Sequence, residues 1–169
     1  MDAHHHRHVL IDDVEIRGAD PAALAELRSS GVDHGGNPVE PFVDHEGGWP
    51  LRCCLQDSQP GDEVAIVAWS PFPWRGVFAE IGPVVIHTGD CGGPVGTGVP
   101  PQFLSRPQIV RPYGRDRRIA YDDVAIVEPD GSLPVVLSDV LARESVDFVL
   151  VRNVKAGCYG FTARLVDRS

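Results

Sequence analysis

Nowhere in this 169-residue sequence is there a stretch approaching the ~20 consecutive apolar residues that a membrane-spanning helix requires, so a membrane partner is not expected. Positive charge is also in short supply. Lys and Arg number 15 against 24 Asp and Glu, a formal charge of -9, and phosphate neutralisation needs the opposite balance, so nucleic acid is not an expected partner either. The opening MDAHHHRHVL has none of the roughly 7–15-residue apolar core of a secretory leader, which gives the expectation of a cytoplasmic protein with four free thiols. No C-x2-C pair is present, and on that ground no metal ligands are assigned. Repeats, linkers and regular βαβ alternation are missing too. Their absence argues against a solenoid, a second domain and a doubly wound sheet, leaving a single domain over residues 9–169 behind a disordered His-rich tail, residues 1–8.

What is present reads mainly as strands. Val9–Arg17 is extended. Asp20-Pro21 then opens AALAELRSS with a capping carboxylate and a proline at the first helical position, and Gly31 closes the helix. Residues 32–50 have no period and many breakers, hence a loop in which His34 and His45 are solvated. Leu51–Leu55 and EVAIVAWS (residues 63–70) look like strands of a hairpin separated by DSQPGD. VFAEIGPVVIHT follows, with Pro83 marking an edge or a bulge. Between Thr88 and Pro101, eight of fourteen residues are Gly or Pro, the composition of a binding loop or a plain surface excursion. Gln108–Tyr113 and Arg118–Val127 are extended, Ser132–Arg143 is helical, and Phe148–Arg152 and Tyr159–Val166 form a last hairpin. The expected fold class is therefore α+β: an antiparallel sheet, open or barrel-like, with two short helices.

Four groups of residues could carry chemistry. In the final strand Tyr159, Phe161, Ala163 and Leu165 share a core face, so Cys158 falls on the side of Gly160, Thr162 and Arg164. Arg152 and Asn153 precede the same turn, where a guanidinium could favour a thiolate and Asn153 could orient a base, or simply bond to the turn. IHTGDC brings His87 near Cys91; with Cys158 and with Cys53 or Cys54 they could hold zinc, although adjacent cysteines on a strand face opposite sides. The same residues could instead form a Cys-His pair, with His87 as the base for Cys158 or Cys91. WSPFPWRGVFAE offers Trp74, Arg75 and Glu80 as a pocket wall with polar handles, or as an aromatic minicore, and RPYGRDRR supplies a basic turn that includes Arg111.

PLRCCL, the PGDE turn, FAEIGPVVIH followed by Cys91, IVRPYG and RNVKAGCYGFTARL together resemble the bacterial family called domain of unknown function 1203, over about Trp49 to Leu165. Asn153, Gly157, Cys158 and Tyr159 match its closing pattern, Arg111 and Tyr113 its Arg-x-Tyr, and Glu80 and His87 its Glu and His. The chain departs from it at Arg152, where the family commonly has His, and at Ala156, where it has Pro. The resemblance implies that these segments form one site but brings no activity.

The leading expectation is a cysteine-dependent enzyme, or a protein binding a small polar molecule. Cys158 would be the nucleophile, His87 the acid/base and Asn153 an orienting donor; Arg152, Arg111, Tyr113, Glu80, Trp74 and Arg75 would bind substrate. The alternatives are a non-catalytic binding module and a structural metal site at His87, Cys91 and Cys158. No cofactor or oligomeric state follows from the sequence.

Overall fold

A computed structural model describes residues 9–166, and the His-rich tail expected at residues 1–8 lies outside the described residues. The strands are β1 (Val14–Arg17), β2 (Phe42–Val43), β3 (Glu63–Trp69), β4 (Gly82–His87), β5 (Gln108–Tyr113), β6 (Ala125–Val127), β7 (Phe148–Asn153) and β8 (Tyr159–Leu165). The helices are α1 (Pro21–Ser30), α2 (Pro101–Leu104) and α3 (Leu133–Leu141). Two antiparallel sheets, in the orders β1-β8-β7-β5-β6 and β2-β3-β4, make the fold α+β; neither closes into a barrel. The described chain divides into two compact units: one comprises the segments up to Ile16, Thr97–Gly157 and from Thr162 on, the other Arg17–Gly96 and Cys158–Phe161.

In the first unit β5 pairs with β7 from Gln108↔Asn153 to Tyr113↔Phe148, and the rings of that last pair stack at 5.0 Å. α3 packs on β5 and β7, and its Leu137 and Leu141 have no solvent exposure. In β8 the expected alternation holds from Phe161 on, with Phe161, Ala163 and Leu165 buried and Thr162 and Arg164 half-exposed, whereas Tyr159 and Gly160 are both buried.

In the second unit α1 begins and ends where its sequence dictates. Asp20 Oδ2 accepts the Ala23 N–H at 2.9 Å, and Gly31 takes φ +70°, the left-handed closure that glycine adopts without strain. β3 and β4 pair from Val64↔His87 to Trp69↔Gly82, so the end of β4 lies beside the start of β3. Buried Asp33 ties the loop after α1 to this sheet by accepting the N–H groups of Gly35, Asn37 and Ala68 at 2.8–2.9 Å.

Four expectations need correction. Leu51–Leu55 is a turn rather than a strand: Leu51 N–H reaches Gln56 O at 2.9 Å, and Leu55 takes φ +58°. The extended segment after Val77 begins as a strand only at Gly82, and Arg118–Val127 is broken by a 3-10 turn over Tyr121–Asp123. A short helix, α2, also forms at the end of the Gly/Pro-rich run, started by Pro101.

Candidate metal centre

The turn at Leu51–Leu55 changes what its two cysteines can do. On a strand Cys53 and Cys54 would point apart, but here the chain turns over residues 52–54, ahead of the left-handed Leu55, and both sulfurs approach the ring of His87. Cys53 Sγ lies 3.6 Å and Cys54 Sγ 4.0 Å from His87 Nδ1. Cys91, at the entry of the Gly/Pro-rich loop, completes the group. The three sulfurs and one imidazole nitrogen lie within 4.8 Å of one another.

His87 N–H reaches Cys53 Sγ at 3.3 Å, and the nearby main-chain N–H groups of Gln56 and Gly93 act on Cys54 and Cys91 in favour of the thiolate. The last two turns share one design. In each the residue after the cysteine is left-handed, Leu55 at +58° and Gly92 at +76°, and the N–H of the residue after that favours the thiolate. Main-chain donors of this kind favour the charged thiolate over the thiol.

The ring of His87 is held from its far side. Nε2 lies 3.2 Å from Asp62 Oδ2, and the same carboxylate oxygen accepts Gln59 N–H at 2.8 Å. A carboxylate at Nε2 retains the proton there, which leaves the Nδ1 lone pair facing the sulfurs. The main chain of His87 is gripped as well: Arg28 of α1 donates Nε and Nη2 to its carbonyl at 3.2 and 3.0 Å.

The thiols titrate unequally. Its hydrogen bond from Cys53 holds Cys54 below the ordinary thiol range against the effect of burial, whereas sharing with Cys54 and burial push Cys53 up. Burial also pushes Cys91 up. The Gln59 N–H, and after it His87, hold the Asp62 carboxyl below its usual value.

The other expected site residues are placed as follows. Asn153 Oδ1 accepts Ala156 N–H at 2.9 Å, Gly157 N–H reaches Asn153 O at 2.8 Å, and Arg152 Nη1 donates to Gly157 O at 3.0 Å, so both side chains bond to the turn. Cys158 is half-exposed and is not a member of the Cys/His group. Tyr113 is fully buried on Phe148, and Arg111 stands half-buried on β5 opposite Leu150. Trp74 meets Phe72 edge-on at 5.4 Å, Arg75 is exposed, and Glu80 is half-buried just before β4. Among the expected residues, then, only His87 joins Cys91, and it does so beside both Cys53 and Cys54.

Two contributors were not singled out from sequence. Arg28 sits on a helix that gave no sign of its target. Asp62 had a usable signal: in an antiparallel β3–β4 pair, the residue before β3 must neighbour the last residue of β4.

Fold and site together define an α+β protein with a clustered thiol-imidazole centre, and no helix of the described residues is long and apolar enough to cross a membrane. The chain belongs to the family described as "Protein of unknown function (DUF1203)", which it matches over residues 48–165, a span that includes all four cluster residues. No curated protein and no solved structure matches it.

Proposed function

We propose that this is a metal-binding protein, in which Cys53, Cys54, Cys91 and His87 Nδ1 hold one soft divalent ion, zinc before others. The observation that carries the reading is the convergence of three sulfurs and one imidazole nitrogen within 4.8 Å. Zn–S bonds of about 2.3 Å in a tetrahedron put neighbouring sulfurs ~3.8 Å apart, so the widest pair has only about 1 Å to close. Three thiolates select soft or borderline ions over magnesium or calcium, which take oxygen ligands. Four protein donors make a closed site, the arrangement of a structural centre. It would join the turn after Leu51, the end of β4 and the glycine-rich loop.

This reading differs from the expected ligand sets, which included Cys158 and at most one of Cys53 and Cys54, and it replaces the assignment of no metal. Against a thiol enzyme using His87 as its base, both ring nitrogens already face partners, Nδ1 the two sulfurs and Nε2 Asp62. The test is elemental analysis of protein in which His4, His5, His6 and His8 are replaced by alanine, since those side chains can collect metal by themselves. One zinc per chain, lost on Cys53→Ser, is expected. Folded protein that takes up no stoichiometric ion refutes the proposal.

A further inference from the structure

The four donors are not equally held. Cys53 and Cys54 are 2% and 6% exposed, in a turn fastened by Leu51 N–H to Gln56 O at 2.9 Å, Arg52 N–H to Val85 O at 2.8 Å and Ala19 N–H to Arg52 O at 2.7 Å. His87 lies in register with Val64, and Arg28 and Asp62 hold its carbonyl and its ring. Three donors therefore come from chain that is tied on several sides.

Cys91 is different. It is half-exposed and lies in a run with no helix or strand. Among the described residues, segment 89–96 has one main-chain hydrogen bond, Gly92 N–H to Asp90 Oδ1 at 2.9 Å, and it stays inside the loop. Gly92 and Gly93 follow Cys91 at φ +76° and +80°, and a chain of successive glycines rearranges at little steric cost.

Resting on the metal reading above, we propose that Cys91 is the exchangeable ligand of the centre, and that its departure opens a fourth position for water or a small thiol. In the exchange the metal–Sγ bond of Cys91 breaks, its thiolate takes a proton from solvent, and a metal–oxygen bond to water or a metal–sulfur bond to an incoming thiolate forms. No electrons are transferred. What stays is two cysteines and one histidine, a donor set that zinc sites with an open, reactive position use. Charge runs the same way: three thiolates on a divalent ion leave a net -1, and releasing one leaves the buried centre neutral, which lowers the cost of burying it. The buried vicinal pair acts as the anchor and the loop cysteine as the gate.

The experiment uses the full chain loaded with zinc or cobalt. Brief iodoacetamide treatment followed by peptide mapping and native mass spectrometry is expected to show Cys91 modified at least about tenfold faster than Cys53 and Cys54, with the ion still bound. Cobalt-loaded Cys91→Ser is expected to keep one ion per chain and to change its visible spectrum when β-mercaptoethanol is added, while Cys53→Ser loses the ion. Protection of Cys91 equal to that of Cys53 and Cys54 in loaded wild-type protein overturns the proposal, as does loss of the ion from Cys91→Ser as complete as from Cys53→Ser. Wild-type protein that takes up no ion overturns the metal reading itself, a distinguishable result.

Discussion

Raising the pH should tighten metal binding steeply, and the unequal thiols set by how much. A metal binds thiolate, so every thiol protonated in the free protein must release its proton on binding. Cys53 and Cys91, both pushed above the ordinary thiol value, are protonated at pH 7, and Cys54, held below it, is the thiol that ionises first. Binding then releases two protons from the first pair and up to one more from Cys54. Protons compete with metal, so affinity falls as pH falls, by roughly a hundredfold to a thousandfold per pH unit around neutrality. Calorimetric titration with zinc in buffers of different ionisation enthalpy counts the protons directly. A release below one proton, or less than a tenfold change in affinity between pH 6.5 and 7.5, would refute the assignment of three thiols, because a centre of carboxylates and imidazole is already largely deprotonated there.

Other outcomes can be measured alongside. Asp62→Asn no longer offers His87 Nε2 a carboxylate, and zinc affinity in a chelator competition should fall about 10–100-fold while the cobalt spectrum keeps its thiolate bands. Leu55→Ile conserves volume but places a β-branched side chain at φ +58° in a buried turn; denaturant unfolding should show a loss of about 1–3 kcal/mol, with weaker metal binding. Leu137→Ala, on the buried face of α3, should cost about 2–5 kcal/mol and leave the proposed metal site intact, since it lies in the other unit.

The elements that could be read from the sequence were those whose signals are local. Asp20-Pro21 and Gly31 bound α1 because a cap, a proline and a left-handed glycine act within a few residues. The alternation from Phe161 to Leu165 is likewise a property of one strand. The centre was only half legible. His87 and Cys91 stand four positions apart and could be paired by eye, but the role of Cys53 and Cys54 depended on a turn over residues 52–54 that ends in a left-handed Leu55. Leucine is a residue whose ordinary preference is not left-handed, and LRCCL, with four apolar residues of five, reads as a strand. The angle is set by tertiary packing: Leu55 is 1% exposed, and the turn bonds to β4 through Val85. The Asn153–Cys158 stretch drew attention for the opposite reason, because turn-forming residues and catalytic residues share the same alphabet.

The turn that carries Cys53 and Cys54 has a consequence for self-association. β4 ends its sheet, and an uncovered outer strand invites pairing with a second molecule. Leu51 bridges Val85 in parallel, Arg52 N–H takes the Val85 carbonyl, and Pro83 has no N–H to offer, so an incoming strand finds few groups to bond. Chelation that loosens this turn would uncover the apolar run Val84-Val85-Ile86 as a template. Metal depletion is therefore expected to appear as aggregation, seen by light scattering, before it appears as loss of secondary structure.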